Sequence, residues 1–144
     1  MVAYGFKAFF APQIESGIKR QTVRANRKRH ARPGEMLQLY QGMRTRHCRR
    51  IIPDAPCVGV DRIIIERRRV EISGIEINGV RLSADEIEAF ARADGFAPEQ
   101  LLGAGGLDSI FARHNMGMFW SLNHPEGGNF EGVLIRWQPP REAA

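Results

Sequence analysis

The octapeptide Gly17-Ile18-Lys19-Arg20-Gln21-Thr22-Val23-Arg24 fits the pattern G-x-K-x-x-T-x-R and gathers an ammonium, a hydroxyl and a guanidinium in one short stretch. Gly17 allows the backbone a tight turn. If residues 21–24 are extended, side chains alternate, and Thr22 and Arg24 share one face. Lys19, just ahead of the strand, can swing onto that face. Three such groups around one small space suit a phosphate or an anionic transition state. A lysine in a partly buried, cation-rich pocket also has a lowered pKa and can act as base or nucleophile. Arg20 and Arg24 fit phosphate binding equally well with no chemistry required.

The motif lies in an unusually basic setting. The 144 residues carry 21 Lys and Arg against 16 Asp and Glu, a formal net charge of +5. Residues 19–50 hold eleven of the basic residues and one acid, Glu35, whereas residues 51–144 are net acidic. That asymmetry points to a polyanionic partner, most simply nucleic acid. Arg27, Lys28 and Arg29 suit contacts to backbone phosphates, each adding salt-dependent, sequence-blind affinity. Arg44 and Arg46 are further candidates for holding an anionic group. Tyr40 either stacks on a base or sits half in the core.

Several classes are set aside by composition and spacing. No apolar run approaches the ~20 residues that cross a bilayer, and the first ten residues lack the pattern of a signal peptide. Cys48 and Cys57 make no disulfide framework, and with His47 they lack the paired spacing of a zinc site. The expectation is a cytoplasmic protein, monomeric, without metal or cofactor. The loop Gly103-Ala104-Gly105-Gly106 lacks the trailing Lys-Ser/Thr of a phosphate loop and reads as a linker.

The elements that must position the motif follow from pattern and punctuation. Strands are expected over Val2–Phe10, Gln21–Arg24, Glu35–Tyr40, His47–Ile52, Cys57–Glu66, Val70–Ile77 and Phe130–Gln138. Pro12 opens a short helix that Gly17 ends. Asn78-Gly79 signals a hairpin. Ser83 and Glu86 form a capping box that starts a helix closing at Asp94-Gly95. Pro98 starts a second short helix. A third is expected over Leu107–His114 with Ile110 and Phe111 buried, followed by a Gly-rich loop over Asn115–Asn129. Phe119 and Trp120 in that loop are read as core packing, with a cover over the cleft as the alternative. Arg67-Arg68-Arg69 either widens the basic face or marks a hairpin turn. Strands that are not each followed by a helix argue against a doubly wound sheet. The pattern predicts one mainly β (α+β) domain over residues 1–138, a small, mostly antiparallel barrel with two to three short helices packed on it. Residues 139–144 read as a tail.

With these residues in place, the chain resembles the ASCH domains, relatives of the PUA domain, whose signature is this G-x-K-x-x-T-x-R element after a short helix. The resemblance continues through Pro33-Gly34-Glu35 and the strand Leu37–Tyr40. The stretch from Tyr40 to Cys48 looks like ASCH proteins encoded in phages and prophages. The helix ending in Ala93-Asp94-Gly95-Phe96 and the strand Gly132–Trp137 also fit, so the likeness covers roughly residues 5–138. It implies a PUA-like barrel with a cleft near the signature and RNA or a nucleotide-like ligand as partner. Some members resemble amidohydrolases that remove an acyl group from the exocyclic N4 nitrogen of a modified cytidine, using the signature Lys and Thr and a Glu on the later helix. Lys19 and Thr22 match directly, and Asp94, one methylene shorter, falls at the Glu position. Other members look like ribonucleases. A phage-associated adaptor that uses its basic face on a protein partner is a further alternative.

Overall fold

A computed structural model describes residues 1–140; the end of the expected tail, residues 141–144, lies outside the described residues. Strand β1 (Val2–Phe6) buries Val2, Tyr4 and Phe6 at alternate positions, as one half-buried strand should. The expected strand stops there because Ala8–Phe10 winds into a 3-10 turn that runs into helix α1 (Ala11–Glu15), with Pro12 in its first turn. Then come β2 (Gln21–Ala25), β3 (Met36–Gln41), a two-residue β4 (Arg49–Arg50) and the long β5 (Ala55–Arg68). Strands β6 (Glu71–Ile77) and β7 (Val80–Arg81) flank Asn78-Gly79, where both residues take positive φ, of 50° and 82°. This is the two-residue primed turn that matches strand twist.

The chain then changes class. Helix α2 (Ala84–Ala91) starts at a complete capping box, with the Glu86 amide donating to Ser83 Oγ at 3.2 Å and the Ser83 amide donating to Glu86 Oε1 at 2.9 Å. Its end is a π-turn, Arg92–Phe96, followed by α3 (Pro98–Leu101), α4 (Ala112–Asn123) and the closing strand β8 (Phe130–Trp137).

Strand β5 is the spine of the sheet. Its first residues pair with β3, its second half with β6, and the stretch from Cys57 to Ile65 with β8, all antiparallel. Irregular register at Cys57/Gly59 and at Glu66/Arg67 bends it, as bulges do. β1 adds in parallel to β3, and β2 adds antiparallel to β8. The result is an eight-stranded, β-rich sheet with short helices. It is not a closed barrel: among the described residues, no ladder joins the edges β1 and β2. One core, including Leu37, Leu39, Ile65, Ile75, Phe96, Met116 and Leu134, fills the space between sheet and helices.

The largest departure from expectation is α4. Ile110 and Phe111 are 75% and 59% exposed, and the helix begins after them and runs through the expected loop to Asn123. Two features account for this. The Ser109 amide donates to Asn115 Oδ1 and the Phe111 amide to Ser109 Oγ, which holds 109–111 out of helical geometry. The carboxylate of Glu88 on α2 accepts the amides of Ala112 (2.8 Å) and Arg113 (2.9 Å), capping α4 from a neighbouring helix. Gly117 lets α4 cross the start of β6: a Cβ there would lie 2.2 Å from the Val70 carbonyl oxygen. Of the two readings of Arg67-Arg68-Arg69, the hairpin turn holds: Arg69, with φ 54°, lies in the turn between β5 and β6, whereas Arg67 is buried and donates to the His124 and Gly128 carbonyls beyond α4.

Candidate functional site

The signature begins where α1 unwinds. Gly17, at φ 79°, turns the chain back so that the Ile18 and Lys19 amides both donate to the Gln13 carbonyl, at 2.9 and 3.0 Å. The side chain of Gln13 donates to the Gly95 carbonyl at 3.0 Å. One buried glutamine therefore ties the backbone of Lys19 to the π-turn that carries Asp94.

Lys19 and Asp94 are 2% and 5% exposed. Lys19 Nζ donates to the Asp94 carbonyl at 2.6 Å and lies 3.6 Å from Asp94 Oδ1, which also accepts Gln21 Nε2 at 3.2 Å. The ammonium stands 4.6 Å from the Phe10 ring centre, a favourable cation–π distance. Gly95 makes this approach possible. It has φ 104°, and a Cβ there would come 2.7 Å from the Phe10 ring. Burial pushes the Lys19 ammonium below its ordinary range; Asp94 offsets part of that, and Arg24 adds to it. Burial likewise pushes the Asp94 carboxyl upward, against the pull of Lys19. Each partner thus offsets part of the desolvation that shifts the other.

Thr22 and Arg24 share a face, as alternation requires. Arg24 Nε donates to Thr22 Oγ1 at 2.9 Å, and its Nη2 donates to the Gly5 carbonyl of β1 at 2.6 Å. The guanidinium thus bridges the two unpaired sheet edges, lying over the Phe6 ring at 4.8 Å. Burial brings its pKa down to about 10, which leaves it charged at neutral pH. Because Arg24 can only donate, Thr22 Oγ1 is the acceptor in that bond, and the hydroxyl proton remains available to another partner.

These groups open onto one cavity of about 310 Å³. Lys19, Thr22, Arg24 and Asp94 line it, with Lys7 and Asn123, together with Phe119, Trp120 and His124 of the α4 region and Phe130 of β8. The His124 ring stacks on Trp120, with centres 4.6 Å apart and planes 21° from parallel. A polar floor under an aromatic wall suits a planar, hydrogen-bonding ligand.

The other candidates lie elsewhere. Arg20 is exposed and donates to the Gly17 carbonyl. Tyr40 is half-buried on β3, paired with Gly5 and Arg50. Arg44 and Arg46 are exposed in the turn between β3 and β4. Arg27 is exposed and lies over the buried Tyr4 ring at 4.7 Å, and Lys28 is exposed. The basic block is also partly neutralised: Arg29 pairs with Glu35, Arg49 with Glu15 and Arg50 with Asp54. Among the described residues, no group of three His, Cys, Asp or Glu side chains is placed to hold a metal, and no helix is long and apolar enough to cross a membrane.

Sequence reasoning missed Gln13, Gln21 and Lys7, and held Phe119 and Trp120 beside the cleft only as the alternative to core packing, on a loop and not on a helix. The wall had a signal: Met116 and Trp120 stand four residues apart, which puts both on one face of a helix. Gln13 had none, since its role depends on a turn 82 residues away. Compared with protein-family models, with curated proteins and with solved structures, the chain finds no match, so the site is read from its own residues.

Proposed function

We propose that this chain is an ASCH-type domain, phage- or prophage-related, that acts as a cytoplasmic monomer and binds RNA or a nucleotide-like ligand in the cavity around Lys19, Thr22 and Arg24. The observation that carries the reading is convergence: the three signature side chains and Asp94 line one cavity faced by aromatic rings. The exposed cations outside the cavity, Arg20, Arg27, Lys28, Arg44 and Arg46, would add long-range attraction for a phosphate backbone. The test is fluorescence anisotropy with short single-stranded RNA at increasing salt. Affinity should fall steeply with salt, and salt-independent or absent binding would remove the reading.

A second reading, hydrolysis of an N4-acylated cytidine-type nucleoside at the same site, is favoured by the contact between Lys19 and Asp94. In that reaction water adds to the acyl carbon, the C–N4 bond breaks, and the products are the carboxylic acid and the free exocyclic amine. Neutral Lys19 would take the proton of the attacking hydroxyl, from water or from Thr22, and Asp94 would help return it to the departing nitrogen. Arg24 would hold Thr22 in place. Incubation with N4-acetylcytidine at high protein concentration tests it. Release of cytidine that Lys19→Ala abolishes would establish catalysis, and no turnover would exclude this substrate.

A further inference from the structure

The cations of the cavity are unequally committed. Lys19 is held by Asp94, and Arg24 by Thr22 and the Gly5 carbonyl. Lys7 also lines the cavity, directly after β1, and it is exposed, which puts it at the mouth. Among the described residues, its ammonium has no hydrogen-bond or ion-pair partner.

The floor is a poor place for a phosphate. Asp94 contributes a carboxylate there, and a dianion beside it would meet like charge in a buried, low-dielectric setting. The same floor offers a neutral ring edge what it needs: acceptors on Asp94, donors on Lys19, and a Thr22 hydroxyl that can donate. The half-buried rings of Phe119 and Phe130 offer faces on which such a ring can stack. A cavity of about 310 Å³ lies at the lower end of the range for small-ligand sites, which suits one nucleotide unit and not a folded RNA element.

We infer that the cavity takes a single nucleotide unit, base inward against Asp94, Lys19 and Thr22, with its phosphate held at the mouth by Lys7. This deepens the binding reading above and rests on it. The same chemistry is presented by a free mononucleotide and by one nucleotide of a single strand.

Calorimetric titration separates the possibilities. The ligands are the four common ribonucleosides, their 5′-monophosphates, ribose 5-phosphate, and trinucleotides whose phosphates are all internal. The preferred monophosphate should bind about five- to tenfold more tightly than its nucleoside, as one charge-assisted contact at a partly exposed site allows. The difference should shrink with salt, vanish in Lys7→Ala and survive in Lys7→Arg. A Lys7-dependent preference for the monophosphate identifies the free nucleotide as the source, and one for the trinucleotide identifies the strand. Equal binding of nucleoside and monophosphate would overturn the role of Lys7 while leaving the cavity a nucleoside site. Ribose 5-phosphate binding as tightly as the monophosphate would overturn the base-inward orientation. No binding of any nucleoside or nucleotide would defeat the binding reading itself.

Discussion

The ammonium of Lys19 lies 2.6 Å from the backbone carbonyl of Asp94 and 3.6 Å from its carboxylate, in a place where both side chains are almost fully buried. A buried ion pair of this kind is weak evidence for stability, because desolvation offsets most of its attraction. Its presence at the centre of a cavity makes it the first object of experiment.

Removing one partner should cost far more than removing both. Lys19→Met leaves Asp94 a lone buried carboxylate and should destabilise by about 3–5 kcal/mol at pH 7, whereas Lys19→Met with Asp94→Leu should be neutral or stabilising. The folded-state pKa of Asp94 is already raised by burial, and without Lys19 it rises further. A carboxyl raised on folding favours the fold at low pH and loses that contribution as pH rises through its folded value. The single variant should therefore regain stability between pH 7 and pH 4 in urea titrations. A single variant as stable as wild type at pH 7 would mean the pair is not desolvated.

His30 should titrate below the ordinary histidine value. Its Nε2 lies 2.8 Å from the Ala25 carbonyl, which can only accept, so that nitrogen carries the hydrogen and Nδ1 accepts from the Tyr4 hydroxyl at 2.9 Å. Burial lowers its pKa from 6.5. The contribution of neutral His30 is present above about pH 6.5 and is lost as pH falls toward the folded value. An NMR titration of the imidazole protons gives the midpoint, and one at or above 6.5 would contradict the geometry. Tyr4→Phe should cost about 1 kcal/mol and bring the midpoint back up.

Glu88→Ala should loosen the aromatic wall without touching the cavity. The two amides it caps, on Ala112 and Arg113, would lose their partners, at about 1–2 kcal/mol. Hydrogen exchange should accelerate at the start of α4 and leave β5 protected. Uniform acceleration would show that α4 does not open separately.

Gly117→Ala should be the harsher lesion on the same helix. Its methyl would meet the Val70 carbonyl oxygen at 2.2 Å, a backbone atom that cannot swing aside, so either α4 or the start of β6 must move. A cost of about 3 kcal/mol follows from overpacking of this kind. Trp120, next to the cavity, should report the shift as a changed emission spectrum, and an unchanged midpoint and spectrum would refute the tight crossing.

Much of the sheet was legible because its signals are local. Thr22 and Arg24 fall on one face because strand side chains alternate, and Asn78-Gly79 makes its turn because both residues tolerate positive φ. The capping box at Ser83 needs only residues within one turn. That the expected barrel stays open was not legible, since whether β1 meets β2 depends on how far β5 bends. Helix α4 was hidden because Gly and Asn read as loop until the close crossing at Val70 and the core place of Asn115 are known.

By itself the chain determined its polarised charge, its mainly β character and the one face that Lys19, Thr22 and Arg24 were expected to share. Tertiary structure decided that Asp94 joins Lys19, that Arg24 spans the open seam to Gly5, and that rings from α4 complete the cavity. The physical reason is range. Alternation and caps act between neighbours in sequence, whereas burial, which shifts Lys19 and Asp94 together, comes from residues that only folding brings near.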